Sequence, residues 1–250
     1  MNKIQKRILI ITGIIVAAIA IAYGLISQKM QTEKAHMFAP DTKKLTPQVY
    51  LISDTFVEMF LVKDSDSYIA IDAGNDVAHI RKQLKSLWVD STKVKAVFLT
   101  HCDGDHTATI NMFPKAKIYF SKDEEQMING QTSRFLFTHN KLSRTDYTLL
   151  ADNQIVQIGG TKVRSIATPG HTPGSMSYLV NDSLLFVGDA FGVQNGRIVK
   201  PNKTFTMDME TAVNSFPKVK NIPTAKYLFT AHKGFSIDYK HAVDTTMTAE

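Results

Sequence analysis

Thr100-His101-Cys102-Asp103-Gly104-Asp105-His106 follows Val94-Lys95-Ala96-Val97-Phe98-Leu99, a nearly continuous apolar run. That run has the pattern of a strand buried on both faces. Its end offers four potential metal ligands within six residues: His101, Asp103, Asp105 and His106. Two imidazoles and two carboxylates this close suit metals that prefer nitrogen and oxygen donors, and Gly104 permits a tight turn. Cys102 lies between ligand positions two apart and reads as a small filler facing away. As a ligand its thiolate would prefer a softer site.

Three later segments point the same way. Thr168-Pro169-Gly170-His171-Thr172-Pro173-Gly174-Ser175 is a turn-rich stretch that presents one histidine. Leu184-Leu185-Phe186-Val187-Gly188-Asp189 is an apolar strand ending in a carboxylate, and Tyr227-Leu228-Phe229-Thr230-Ala231-His232 is one ending in a histidine. Ligands at the ends of rigid strands are what a preorganised metal site needs. Upstream, Asp72-Ala73-Gly74 also closes an apolar strand.

This ordered set resembles the metallo-β-lactamase-fold superfamily from about residue 47 to 236. Through Gly188-Asp189-Ala190 it is similar to the glyoxalase II-like and lactonase-like members. The resemblance implies an α/β (α+β) fold, a four-layer αββα sandwich, with two divalent metals in a cleft between the sheets. It implies that His101, Asp103 and His171 hold the first metal, that Asp105, His106 and His232 hold the second, and that Asp189 bridges them. Asp72 would stand behind these ligands and orient them. Asp103 departs from the pattern, because the family most often has histidine there. Three carboxylates, Asp103, Asp105 and Asp189, then face two divalent ions, so iron or manganese becomes an alternative to zinc.

The implied activity is hydrolysis of an ester, lactone, thioester or amide bond in a small molecule. The nucleophile would be a metal-bound hydroxide, with Asp105 as the catalytic group that accepts and shuttles a proton. The helical C-terminal domain of glyoxalase II has no counterpart in the 18 residues after His232. The alternative is a metal-binding sensory or binding protein on the same scaffold with little turnover.

The rest of the chain sets the frame. At 250 residues and 44% hydrophobic, it can bury a core, and its single cysteine excludes an intrachain disulfide or a four-cysteine zinc knot. Of the net charge of +6, residues 1–36 carry +4, so the body offers no electrostatic case for a nucleic-acid partner. Ile8 to Ile26 is a 19-residue uncharged run preceded by Lys3, Lys6 and Arg7. As a helix it reaches about 28 Å, close to the hydrocarbon thickness of a bilayer. By the positive-inside rule it anchors the chain with residues 37–250, the catalytic domain, on the extracytoplasmic side. Cleavage as a signal peptide after Ala20 or Ala22 is the rival, and it would leave the domain secreted. Residues 27–46 read as a polar linker.

Strands are expected at 49–53, 60–62, 68–72, 94–100, 117–120, 154–158, 162–167, 176–180, 184–187 and 227–230. Helices are expected at 77–87, 122–128 and 211–219. Residues 121–150 read as a solvated surface excursion. The other reading makes Phe135, Phe137 and Tyr147, among Arg134, His139, Lys141 and Arg144, a cover that receives a substrate. Val57-Glu58-Met59-Phe60 is either a hairpin over the cleft or core. His36, His79, His139 and His241 lack a ligand pattern.

Overall fold

A computed structural model describes residues 1–37, 39–135, 138–232 and 234–244. The chain separates into two compact units, Met1–Met37 and Phe38–Glu250. The first is one helix, α1 (Lys3–Ala35), with no buried residue. Asn2 caps it: its side chain accepts from the Gln5 amide at 2.9 Å, and the Gln5 side chain accepts from the Asn2 amide. By length and composition, α1 is apolar enough to cross a membrane. The helix also runs nine residues past Ile26, where a linker was expected. Residues 27–35 are polar, but Gln, Lys, Met, Glu and Ala are good helix formers, so polarity there does not mean irregular backbone.

The second unit holds two large sheets. One has the order β1 (Lys43–Lys44), β2 (Val49–Asp54), β3 (Val57–Asp64), β4 (Ser67–Ile71), β5 (Val94–Phe98), β6 (Lys117–Ser121) and β7 (Tyr147–Leu150). Strands β2 to β4 form an antiparallel meander, and β4 to β7 run parallel. In the other sheet, β8 (Ile155–Ile158), β9 (Thr161–Ala167), β10 (Met176–Val180) and β11 (Leu184–Phe186) are antiparallel neighbours. A hairpin follows, β12 (Gly192–Gln194) and β13 (Arg197–Val199). Then β14 (Tyr227–Phe229) joins β11 in parallel, and β15 (Phe235–Ser236) completes the edge.

Side-chain alternation explains the layering. On β3, Phe60 and Val62 face the core shared with β9, β10 and β11, while Met59 and Leu61 face the opposite side. Both faces are therefore buried, which is why these strands read as continuous apolar runs. Helix α2 (Val77–Ser86) covers the outer face of the first sheet with Ile80 and Leu84. Two short helices lie on this side of the chain, α3 (Gly104–Thr107) and α4 (Glu125–Ile128). Helices α5 (Met209–Lys220) and α6 (Tyr239–Val243) cover the second sheet with Val219, Tyr239 and Ala242. The result is the four-layer αββα sandwich. Phe98 marks its centre, 4.8 Å from the Tyr119 ring and 5.3 Å from that of Tyr178. Met59 and Phe60 lie in the core on β3, which removes the overhanging-hairpin reading of 57–60.

Candidate metal centre

The parallel pairs bring the candidate residues to one edge. Ile71 of β4 pairs with Phe98 of β5, so Asp72 and His101 leave the sheet together. Phe186 of β11 pairs with Phe229 of β14, which aligns Asp189 with His232. His171 lies on the loop between β9 and β10. Hydrogen bonds tie the sheets together here: the Met176 amide donates to the Thr100 carbonyl at 2.8 Å, and the Tyr178 hydroxyl to the Leu99 carbonyl at 2.7 Å. Gly188 permits the approach of Asp189. It adopts φ +54°, and a Cβ there would sit 2.4 Å from Thr100 Oγ1.

All seven residues named from the sequence converge. Their side-chain donors fall into overlapping groups: His101, Asp103 and His171; His101, His106 and Asp189; and Asp105, His106 and His232. Asp189 is central. Its Oδ2 lies 3.3 Å from His232 Nε2 and 3.5 Å from His171 Nε2, and its Oδ1 is 3.5 Å from His106 Nε2. Asp103 Oδ2 is 3.3 Å from His171 Nε2 and 3.5 Å from His101 Nε2. Asp105 Oδ2 is 3.5 Å from His232 Nε2. Tetrahedral zinc with ligands at about 2.0–2.1 Å separates its donors by about 3.4 Å. These spacings match that value.

The residues behind the imidazoles aim them. Asp72 Oδ2 lies 3.0 Å from His106 Nδ1, which therefore carries the proton and leaves Nε2 to the centre. Asp72 is itself held by the Thr100 amide at 2.7 Å and the Thr100 hydroxyl. His232 Nδ1 donates to the Phe56 carbonyl at 2.6 Å, with the Phe56 ring stacked 5.9 Å away. His101 Nε2, His106 Nε2 and Asp189 Oδ1 are buried and have no hydrogen-bond partner. Buried polar atoms left without a partner are costly and rare. Three converging on one point fit a divalent metal ion.

The electrostatics agree. Burial disfavours charge on His106, yet the Asp72, Asp189 and Asp105 carboxylates raise it to about 9. Burial also opposes charge on His232, and Asp189 and Asp105 raise it well above the ordinary value. Burial pushes Asp105 up, but the His106 and His232 imidazoles hold it down at about 2. Burial likewise opposes ionisation of Asp189, and His232, His106 and His171 hold it well below the carboxylate range. His171, unlike His106 and His232, is lowered, chiefly by burial. The field at this centre favours positive charge.

Other residues behave differently from expectation. Arg134 is not on a solvated surface: it is 8% exposed, and its Nε donates to Asp103 Oδ2 at 2.9 Å. Asn140 Nδ2 donates to Asp103 Oδ1 at 2.7 Å. The excursion thus reaches the centre, and Tyr147 belongs to β7 instead of a loop. Phe137 lies outside the described residues. Glu124 carried no signal in the sequence, yet it joins two ligand loops. Its Oε1 accepts from the Cys102 amide at 2.8 Å, and its Oε2 from the Thr172 hydroxyl at 2.6 Å and the Gly174 amide at 3.1 Å. Cys102 is buried among apolar side chains on the outer face, and burial pushes its thiol up. His36, His139 and His241 are exposed, and His79 is half-buried beside Gln83.

With fold and centre in view, the chain belongs to the metallo-β-lactamase superfamily, whose family model matches residues 53–232. It is 30% identical over 161 residues to the probable polyketide biosynthesis zinc-dependent hydrolase PksB of Bacillus subtilis (strain 168), covering 63% of this chain and 61% of that protein. It is 27% identical over 197 residues to the hydroxyacylglutathione hydrolase of Glaesserella parasuis serovar 5 (strain SH0165), covering 71% and 70%. A solved metallo-β-lactamase of Cronobacter sakazakii with a HARLDQ motif shares the fold at TM-score 0.63. Identity to it is 22%, and 80% of each chain is covered. The chain thus spans less than two thirds of the length of the Bacillus subtilis relative.

Proposed function

We propose that this chain is a metal-dependent hydrolase, anchored by its N-terminal helix, that cleaves an ester, lactone, thioester or amide bond in a small molecule. One observation carries the reading: four histidines and three aspartates bring their donor atoms into three overlapping clusters, and three of those atoms have no hydrogen-bond partner. The relatives named as hydrolases support the same chemistry for this chain. The spacing of the donor groups supports up to two divalent ions. In our reading His101, Asp103 and His171 form one set, Asp105, His106 and His232 the other, and Asp189 lies between them. Zinc is the first candidate, with iron or manganese beside it.

Bound divalent metal supplies Lewis acidity and makes an attacking water acidic enough to react at neutral pH. The chain's own residues do the rest. Asp105 Oδ2 is the proton acceptor, kept ionised at neutral pH by the neighbouring imidazoles. His232, locked through Nδ1 by the Phe56 carbonyl, presents Nε2 to the centre 3.5 Å from Asp105 Oδ2. Asp72 fixes the tautomer of His106, and Glu124 keeps the His101 and His171 loops in register.

In this reading residues 1–36 form the cytoplasmic tip, the membrane span at 8–26 and a tether, and residues 37–250 form the catalytic domain outside the cytoplasm. The basic Lys3, Lys6 and Arg7 support that orientation. N-terminal sequencing of the membrane fraction separates an anchor, which keeps Met1, from a cleaved signal.

The hydrolase is tested by assaying the purified full chain against lactone, thioester, ester and amide substrates, before and after chelation. Turnover that disappears with chelator and returns with added metal is the expected result. Metal binding with no turnover on any of these classes would instead identify the metal-binding sensory or binding protein. The pairing of Asp103 with Arg134 is the observation that favours that second reading.

A further inference from the structure

The two donor sets are not equivalent. His106 Nε2 and Asp189 Oδ1 are buried without partners. His232 Nε2 faces only the carboxylates of Asp105 and Asp189, which are candidate ligands themselves. This side of the centre is open to a cation. On the other side Asp103 and His171 are already engaged, and of this set His101 Nε2 alone is without a hydrogen-bond partner. Arg134 Nε donates to Asp103 Oδ2 at 2.9 Å, and Arg134 Nη2 lies 3.2 Å from His171 Nε2. The same Nη2 donates to the Phe205 carbonyl, and Asn140 Nδ2 donates to Asp103 Oδ1 at 2.7 Å.

One planar cation therefore satisfies a carboxylate and an imidazole together, which is what an ion in the His101–Asp103–His171 set would do. The chemistry of Asp103 makes this possible. A carboxylate accepts a guanidinium, whereas the histidine usual in the family at this position would offer it no counter-charge. The guanidinium is also not locked on every side. Its Nη1 is buried with no partner, and the Phe135 ring lies 5.0 Å from its Cζ.

We propose that Arg134 is the resident cation of the His101–Asp103–His171 set, and that this set takes up a divalent ion only when the guanidinium withdraws. The proposal rests on the metal-centre reading above and adds an order of filling to it. The first ion enters on the Asp105–His106–His232 side, where donors are open. The second competes with a positive charge carried by the chain itself. Asn140 supports Arg134 by fixing the second oxygen of Asp103. The segment carrying both residues thereby sets the metal stoichiometry.

Calorimetric titration of the chelator-treated full chain with Zn²⁺ tests this, with bound zinc counted by elemental analysis after dialysis. Wild type should retain one ion tightly and bind a second at least about tenfold more weakly, the scale on which residues outside the ligand set tune metal affinity. Arg134→Met should bring the second affinity to within a few-fold of the first and retain two ions through dialysis. Arg134→Lys, which keeps the charge but loses the fork, should fall between them, and it carries the test if Arg134→Met does not fold by circular dichroism. Two equally tight ions in wild type, or unchanged isotherms in the folded variants, would overturn the Arg134 assignment and leave the metal centre standing. No zinc bound by any form would overturn the metal centre, and this proposal with it.

Discussion

The two halves of the centre are built from the same side chains and differ in what stands behind them. The Asp105–His106–His232 half is backed by groups that accept: the Asp72 carboxylate behind His106 and the Phe56 carbonyl behind His232. These orient the imidazoles and leave their Nε2 atoms facing inward. The His101–Asp103–His171 half is faced by groups that donate, Arg134 and Asn140. They quench the donors they touch. Ligand identity alone thus says little about where an ion goes. The polarity of the surrounding groups decides whether a donor is presented or occupied.

The largest expected effect comes from the residue the halves share. Asp189→Ala should reduce turnover by more than about 100-fold, beyond the range typical of residues outside the ligand set, because both halves lose their common oxygen donor. A circular dichroism spectrum like wild type would show that the loss is local. Wild-type turnover in this variant would remove Asp189 from the chemistry.

Next is a variant that should strike one half only. Asp72→Ala frees His106 to change tautomer, and metal affinity on that side should fall by about 10- to 100-fold. Zinc titration reads this directly. An equal loss on both sides would mean that Asp72 supports the fold instead of orienting His106.

Glu124→Ala should act on stability and on the other half. It leaves the Cys102 and Gly174 amides without their acceptor, at roughly 1–3 kcal/mol for each buried group, while the Thr172 hydroxyl keeps Ser175 Oγ at 2.8 Å. Urea unfolding should show a loss of several kcal/mol, with a weaker effect for Glu124→Gln, which keeps one acceptor oxygen. No change in midpoint would contradict the role of Glu124 as the link between the two loops.

The smallest effect is in pH dependence, and it distinguishes the histidines. His106 is raised from 6.5 to about 9 in the folded chain, so its stabilisation is complete below about 6.5 and lost as pH rises toward about 9. His232 is raised as well and works in the same direction. Glu58, buried beside the Gly234 amide, is pushed from 4.5 to about 8, mainly by burial, and its contribution also fades as pH rises through that interval. His171 is lowered, so its contribution is present above 6.5 and is lost on acidification. The chelator-treated chain should therefore melt at progressively lower temperature between pH 6.5 and 9. Bound metal should flatten this slope, because it holds the imidazoles deprotonated. A metal-free melting temperature that stays level or rises over the interval would contradict these assignments.

Much of this architecture was readable from residue order. Most of the candidate ligand positions were legible because they follow an apolar strand, and His171 because a turn-rich stretch presents it; buried strands such as Val94–Phe98 announce themselves by continuous hydrophobicity. The β12–β13 hairpin was not predicted, although Asn195-Gly196, both with positive φ, is a strong signal for a two-residue turn. Strand β7 escaped because Tyr147–Leu150 is short, half-exposed and lies at the sheet edge. The residues that distinguish the two halves were illegible for another reason. Arg134 lies 31 positions from Asp103, and Glu124 lies 48 from Thr172. Nothing local marks either as buried. Only the folded chain reveals that a lone arginine in a polar excursion has an aspartate to meet.

The central claim is that these residues form a metal centre that powers hydrolysis. The most direct test is to measure metal content and turnover together in the purified full chain, as isolated, after chelation and after reconstitution. The account predicts at least one tightly held equivalent of zinc, iron or manganese, and turnover of an acyl substrate that follows metal content through all three states. Turnover that persists undiminished when the metal has been removed would contradict it.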